Sequence, residues 1–181
     1  MLMTVEELKR YINTDEDDQA LGARLQALES LIRRYTNNNF QVRAFRHAAD
    51  IREGAFHVTT PPLFRVGDTV EVGQSIYNEG LYTVQDVGDG TFTVQEDVRE
   101  EDLVLVTKVE YPADVKMGVV NLMKWEMEKR DKVGIQSESI SRHSVTYYNM
   151  DGDNTVMGYP KSLLGFLRPY MKARFGQGVR V

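Results

Sequence analysis

The feature of the sequence that most constrains the fold is a change in its hydrophobic period near Ala49. Before this point, apolar residues recur at spacings of three and four, which is typical of amphipathic helices. From Ala49 to Tyr111 apolar and polar residues alternate, as they do in half-buried strands, and after Tyr111 the helical period returns. The pattern predicts an α+β protein: a small helical bundle of about four helices with an inserted antiparallel β-subdomain, either barrel-like or a sandwich.

Two helices are predicted in residues 1–48, the N-terminal part of the bundle. Thr4 and Glu7 form a capping box that starts a short helix of about ten residues. A second helix is predicted from about Asp17 to Thr36, because its apolar residues form a narrow seam suited to helix packing. Three asparagines end this helix, and an extended segment then leaves the bundle. The seam consists of Leu21, Leu25, Leu28, Ile32 and Tyr35.

The inserted β-subdomain is predicted to span residues 49–111. Turn chemistry, such as the Gly-Asp-Gly sequence at 88–90, separates its alternating segments. Between residues 50 and 111, 13 acidic and 4 basic residues give a formal charge of −9. This charge disfavours nucleic-acid binding, so a protein-contact or spacer role is predicted. The five candidate strands are residues 55–59, 69–72, 81–87, 91–95 and 103–110.

The strongest helix signal in the sequence starts at Tyr111-Pro112, where proline suits a first helical turn. Its apolar residues form a stripe wider than a surface helix needs, so burial on more than one side is predicted. Gly134 is expected to end this helix. Residues 112–175 are predicted to complete the bundle, with an extended loop at 135–158.

Residues 144–148 within that loop have strong β propensity but no evident partner strand in the sequence. Two pairings stay open, one with the β-subdomain and one with a neighbouring subunit.

A last helix is predicted to start at Tyr159-Pro160, with Pro169 kinking it or ending its first part. Residues 176–181 are predicted to form a flexible tail. No acidic residue follows Asp153, while five basic residues do. These cations either are solvated or contact an acidic partner surface.

The sequence contains no catalytic constellation. It has no cysteine, and none of its three histidines has a second ligand at the spacing typical of helical metal sites. Phosphate-binding loops are absent, and the serines around His143 lack a nucleophile-elbow motif. No signal peptide or membrane-spanning run is evident. A non-enzymatic protein without cofactor or metal is therefore predicted.

The order of these segments resembles the head–tail connector proteins of tailed phages, also called head-completion or adaptor proteins, which phages and prophages encode. The resemblance covers residues 4–40 and 111–174. Its most specific part is the Ser-Glu-Ser and Ser-Val-Thr-Tyr sequences at 137–147, which lie between the two Tyr-Pro helix starts. The β-subdomain departs from the family, because many compact relatives lack it or have it in reduced form.

The resemblance implies a structural virion protein at the head–tail junction, assembled in the bacterial host cytoplasm. Such proteins dock under the portal protein as a ring of about a dozen copies, extend the DNA channel without binding DNA specifically, and receive a tail or stopper protein. The free subunit can be monomeric. From the residues and the resemblance together, candidate interface residues are Ser139, Arg142, Ser144, Val145, Tyr147, Arg168, Lys172 and Arg174.

The alternative function is a regulatory binding module. In this alternative the β-subdomain recognises a protein or nucleic-acid ligand, and the helices only dimerise. Steep salt dependence of DNA binding would favour it, because phosphate contacts release counterions.

Overall fold

The computed structural model describes residues 1–129, 137–140, 143–146 and 154–174, and within them the chain is α+β. Helices α1 and α2 precede a six-stranded barrel, and α3 and a 3₁₀ helix follow it. The bounds are α1 Val5–Lys9, α2 Asp18–Thr36, β1 Gln41–Arg52, β2 Ala55–Val58, β3 Thr69–Gly73, β4 Gly80–Val87, β5 Thr91–Val94, β6 Glu101–Val109, α3 Ala113–Lys129, β7 Ser137–Ile140, β8 His143–Thr146, β9 Thr155–Val156, β10 Tyr159–Pro160 and the 3₁₀ helix Lys161–Tyr170.

The N-terminal helices begin and end where their sequence signals predict. The Glu7 N–H donates to the Thr4 hydroxyl at 3.0 Å, and the Asp17 carboxylate accepts from the first N–H groups of α2. Asn37 adopts a φ of +50° and ends α2. Helix α1 is shorter than predicted, because the N–H groups after Lys9 bond to carbonyls three residues back and tighten the chain into a turn.

The β-subdomain is a closed antiparallel barrel with strand order β1-β2-β5-β4-β3-β6, and β6 pairs with β1 to complete it. All five predicted strands are confirmed, each within two residues of its predicted ends. Closure removes the free strand edges that an open sheet would expose. Phe56, Val70, Val84 and Phe92 fill its interior.

The extended segment predicted to leave the bundle after Phe40 is in fact β1, so the β region starts at Gln41 rather than at residue 49. The first half of β1 carries several exposed residues, and its pairing with β6 is interrupted by a bulge between Gln41 and Arg46. This half therefore shows no clean alternation, and only its end, with buried Ala49 and Ile51, gives a strand signal.

The helices share a second hydrophobic core, separate from the barrel core. Every residue of the α2 seam is buried or partly buried there. Helix α3 buries positions on more than one side, as predicted, and its Trp125 is half-buried. The predicted end of α3 at Gly134 lies outside the described residues. No helix in the described ranges is long and apolar enough to cross a membrane.

The last helix is a 3₁₀ helix and starts one residue later than predicted, because Tyr159 and Pro160 form β10, which pairs with β9. It packs on α3 at Gly118, where the Phe166 ring lies 2.4 Å from the position that a Cβ would occupy. Only glycine allows this approach. Leu164 and Leu167 bury its apolar face.

The barrel and the helical core meet at the carboxylate of Glu71 on β3. This carboxylate pairs with Arg33 of α2 at 2.5 Å, and it also accepts from the Asn39 amide at 3.1 Å and the Gln41 amide at 2.8 Å. The Arg33 and Glu71 side chains are 12% and 17% exposed. A largely desolvated ion pair therefore joins the two cores.

Candidate partner interface

Strands β7 and β8 form a two-stranded ribbon between α3 and the 3₁₀ helix. Ser139 pairs with Ser144, and Glu138 pairs with Val145. The sequence shows no evident partner strand for residues 144–148 and leaves two pairings open, with the β-subdomain or with a neighbouring subunit. In the structure the polar segment before them supplies a partner, since β7 pairs with β8, and residues 147 and 148 lie outside the described ranges. Ser139, Ser144 and Val145 thus share one ribbon, whereas Arg142 and Tyr147 lie outside the described residues.

The ribbon forms a sheet of its own within the described part of the chain. Each strand of such a pair has one edge turned away from its partner. An outer edge presents N–H and C=O groups that another chain can pair with. The ribbon is therefore a candidate site for contact with a second protein chain.

The other three predicted interface residues, Arg168, Lys172 and Arg174, are exposed at the end of the 3₁₀ helix and in the segment after it. We call residues 168–174 the basic segment. Its backbone is fixed to the end of α2: the Lys172 N–H donates to the Thr36 carbonyl at 2.8 Å, and the Asn37 amide donates to the Ala173 carbonyl at 2.9 Å. The basic segment and the ribbon are separate elements, with β9, β10 and the 3₁₀ helix between them in the chain.

Arg174 has a structural contact that its sequence did not indicate. Its guanidinium donates to the Arg34 carbonyl at 2.7 Å, a carbonyl in the last turn of α2 that has no partner within the helix. A cation at this end also interacts favourably with the helix dipole. Arg168 and Lys172 make no such contact in the described structure, so they are better candidates for binding a partner.

A groove of about 620 Å³ lies beside the basic segment, and we call it the basic groove. Within the described ranges no acidic side chain forms an ion pair with Arg34 or Arg174. Arg33 uses one terminal nitrogen for Glu71, while its Nη1 is buried without a hydrogen-bond partner. The groove thus favours an acidic or aromatic group. It is lined by Ser30, Arg33, Arg34, Asn37, Asn39, Leu81 and Arg174.

The loop between β3 and β4, residues 74–79, forms an apolar projection that we call the tip loop. Ile76 and Tyr77 are 83% and 60% exposed at its end. The Glu101 carboxylate on β6 holds the loop, accepting from the Ser75 hydroxyl at 2.5 Å and from the Ile76 N–H at 2.6 Å. It also accepts from the Tyr77 N–H and the Asn78 amide. Sequence reasoning missed this site, because its contacts join residues more than twenty positions apart.

Hydrogen bonds to the Glu101 carboxylate, first the one from Ser75, hold the pKa of Glu101 below its usual range. Since the folded pKa is lowered, the charged carboxylate stabilises the loop at neutral pH, and this stabilisation is lost as the pH falls through the folded pKa.

We therefore expect acidification to release the tip loop. Protection of the Ile76 and Tyr77 amides from hydrogen exchange should fall by about tenfold, roughly the effect of losing one hydrogen bond to a charged group. Exchange measured by NMR across the acidic range tests this. Glu101→Gln should show the low protection at every pH, while the Val84 amide in the barrel should not change. Equal protection in Glu101→Gln and wild type would show that the charged Glu101 carboxylate does not hold the tip loop.

Within the described ranges, no group of three or more His, Asp or Glu side chains is arranged to hold a metal ion. No protein-family model matches the chain, and no curated protein matches it. The ribbon, the basic segment, the basic groove and the tip loop are thus the features from which a function can be argued.

Proposed function

We propose that this chain is a structural head–tail connector of a tailed phage or prophage, without enzymatic activity. It docks under the portal protein as a ring, extends the DNA channel and receives a tail or stopper protein. The observation that carries the proposal is the ribbon. Residues 137–140 and 143–146, within the most specific segment of the family resemblance, form a two-stranded sheet of their own in the described part of the chain, between two helices that share one core.

A two-stranded ribbon is marginally stable in water unless it packs against something or gains another strand. Strand addition by a neighbouring chain would supply the missing main-chain hydrogen bonds. In a ring every subunit offers the same edge to the next one, so a single contact repeats until the ring closes. A ribbon edge therefore suits subunit contact better than it suits binding of a small molecule.

The charge distribution also supports a connector. Residues 50–111, which form most of the barrel, have a formal charge of −9, and an acidic wall repels DNA phosphates and lets DNA pass without being held. The basic segment has the opposite sign and suits an acidic surface of the portal. These two regions would then serve different partners, with the barrel near the channel and the basic segment on the portal.

The test is to mix the purified full chain with the portal protein encoded by the same phage or prophage and to image the mixture by negative stain. Rings capping the portal are expected. Ser144→Pro and Val145→Pro each remove one N–H of β8, and successive N–H groups of a strand point to opposite edges. One substitution thus blocks the outer edge and the other breaks the ribbon, so we expect both to abolish capping.

As a folding control, thermal unfolding of each proline variant is compared with that of the wild type, and the transition of the two cores should be unchanged. Normal capping by both variants would remove the ribbon from the mechanism, and no association of the wild type with the portal would refute the connector proposal. Strongly salt-dependent binding of the chain to DNA would instead favour the binding-module alternative.

A second prediction follows if the basic segment docks on the portal protein. The double variant Arg168→Glu/Lys172→Glu should bind the portal about tenfold more weakly or worse, because rim charges that meet an opposite potential steer and stabilise association. Binding of labelled chain to portal at two salt concentrations measures this. The matched control is Arg10→Glu/Arg43→Glu, which changes the net charge equally at other exposed sites. Equal weakening in both variants would show a general charge effect and no docking site.

A further inference from the structure

The tip loop combines exposure with rigidity in a way that the fold itself does not require. Ile76 and Tyr77 contribute little to either core, yet the residues around them are held by the Glu101 carboxylate and by Asn78. Asn78 is 2% exposed and exchanges two hydrogen bonds with the backbone of Arg99, at 3.0 and 2.8 Å. A loop ordered in advance loses less conformational entropy when it binds, and tyrosine is among the residues that contribute most to protein interfaces.

The charges around the tip loop are mostly acidic, with Arg99 as an exposed cation beside Glu100. Glu79 is exposed directly after Asn78 and has no ion pair within the described ranges, and exposed Glu100 lies next to Glu101. The surface that fits this loop therefore has a recess for an aromatic ring and cations around it.

The basic groove of the same chain has these properties. It has room for an aromatic side chain. Arg34 and Arg174 can stack on a tyrosine ring and can pair with a carboxylate beside it. Tyr77 does not line the groove of its own chain, since the hydrogen bonds to Glu101 hold the loop in an exposed position. Within the described residues, the tip loop therefore does not fill the groove of its own chain, and a tip loop from a second copy can reach it.

We infer that the tip loop of one copy docks in the basic groove of a second copy, with the Tyr77 ring against Arg34 and Arg174 and with Glu79 as their carboxylate partner. This contact uses the barrel, α2 and Arg174 of the basic segment, but it requires neither the ribbon nor the portal, nor Arg168 and Lys172, on which the test of portal docking rests. It can therefore fail while portal capping succeeds, and the reverse also holds.

The experiment is analytical ultracentrifugation of the full chain over a concentration series. The wild type should self-associate, and salt should weaken the association. Tyr77→Ser in the tip loop and Arg34→Glu in the basic groove should each lower the association constant by about tenfold or more. Both side chains are at the surface, so an unchanged thermal transition is expected. The matched controls, Tyr11→Ser and Arg43→Glu, alter exposed residues elsewhere and should associate like the wild type.

A mixture of the two variants provides the sharpest result. Neither Tyr77→Ser nor Arg34→Glu has both halves of the contact, but the Arg34→Glu variant keeps an intact tip loop and the Tyr77→Ser variant keeps an intact groove. The mixture should thus associate more strongly than either variant alone. The inference is overturned if the wild type stays monomeric at every concentration, if the variants associate like the wild type, or if mixing restores nothing.

Discussion

Replacing Phe92 with alanine is expected to lower the free energy of unfolding by about 3–5 kcal/mol, the usual range for truncating a buried aromatic side chain. Phe92 is 1% exposed at the centre of the barrel core. Its ring stacks on Phe56 with centroids 4.7 Å apart, and it meets the edge of Phe64 at 5.1 Å. Alanine would leave a cavity between the Phe56 ring of β2 and the Phe64 ring of the connection before β3, and both rings are buried in a close-packed core that can relax only in part.

Urea unfolding followed by circular dichroism and by Trp125 fluorescence measures the effect. Trp125 is the only tryptophan and packs against the helical core, so its signal reports a part of the molecule distant from Phe92. We expect both signals to shift together, because α2 leads into β1, β6 leads into α3, and the two cores share the Glu71 junction. Thr91→Ala on the same strand is the control. A loss below about 1 kcal/mol, typical of an ordinary substitution, would contradict the packing.

Much of the fold could be predicted from sequence, because most of the predicted helices and strands bury one face and leave the other in water. Apolar residues therefore recur at every second position in a strand such as β3 and at about every 3.6 positions in α2. The prediction was wrong where this condition fails. Strand β1 is long, bulged and largely exposed in its first half, and β7 is a polar segment whose strand conformation depends on pairing with β8.

The candidate interface was less predictable. Exposed cations such as Arg168 and Lys172 can be recognised from the charge distribution along the chain. The tip loop could not be recognised, because its order depends on Glu101, 25 positions after Ile76. The Arg33–Glu71 pair joins residues 38 positions apart. Neither contact has a local pattern, since the pairing of β3 with β6 brings Glu101 to the tip loop and the packing of α2 against the barrel brings Arg33 to Glu71.

Replacing Glu71 with alanine is expected to lower the free energy of unfolding by roughly 2–3 kcal/mol. Breaking a fully buried ion pair by removing one partner costs about 3–5 kcal/mol, and this pair retains some exposure. The loss arises mainly because the Arg33 guanidinium, 12% exposed and with Nη1 already lacking a partner, keeps its charge without a counterion. The amides of Asn39 and Gln41 lose their acceptor as well.

The position of Glu71 also predicts how the molecule should unfold. Without the Glu71 carboxylate, the barrel and the helical core should unfold in two separate urea transitions. Trp125 fluorescence should follow only the unfolding of the helical core. Asp102→Ala, which breaks the exposed Arg52–Asp102 pair on the barrel surface, is the matched control and should change stability by about 0.5 kcal/mol or less. A double-mutant cycle with Arg33→Ala isolates the pair itself. If Glu71→Ala behaved like Asp102→Ala, the two cores would have to be coupled through strand continuity and through the packing of Leu81 and Val109 against the helical core, and the ion pair would have no part in holding them together.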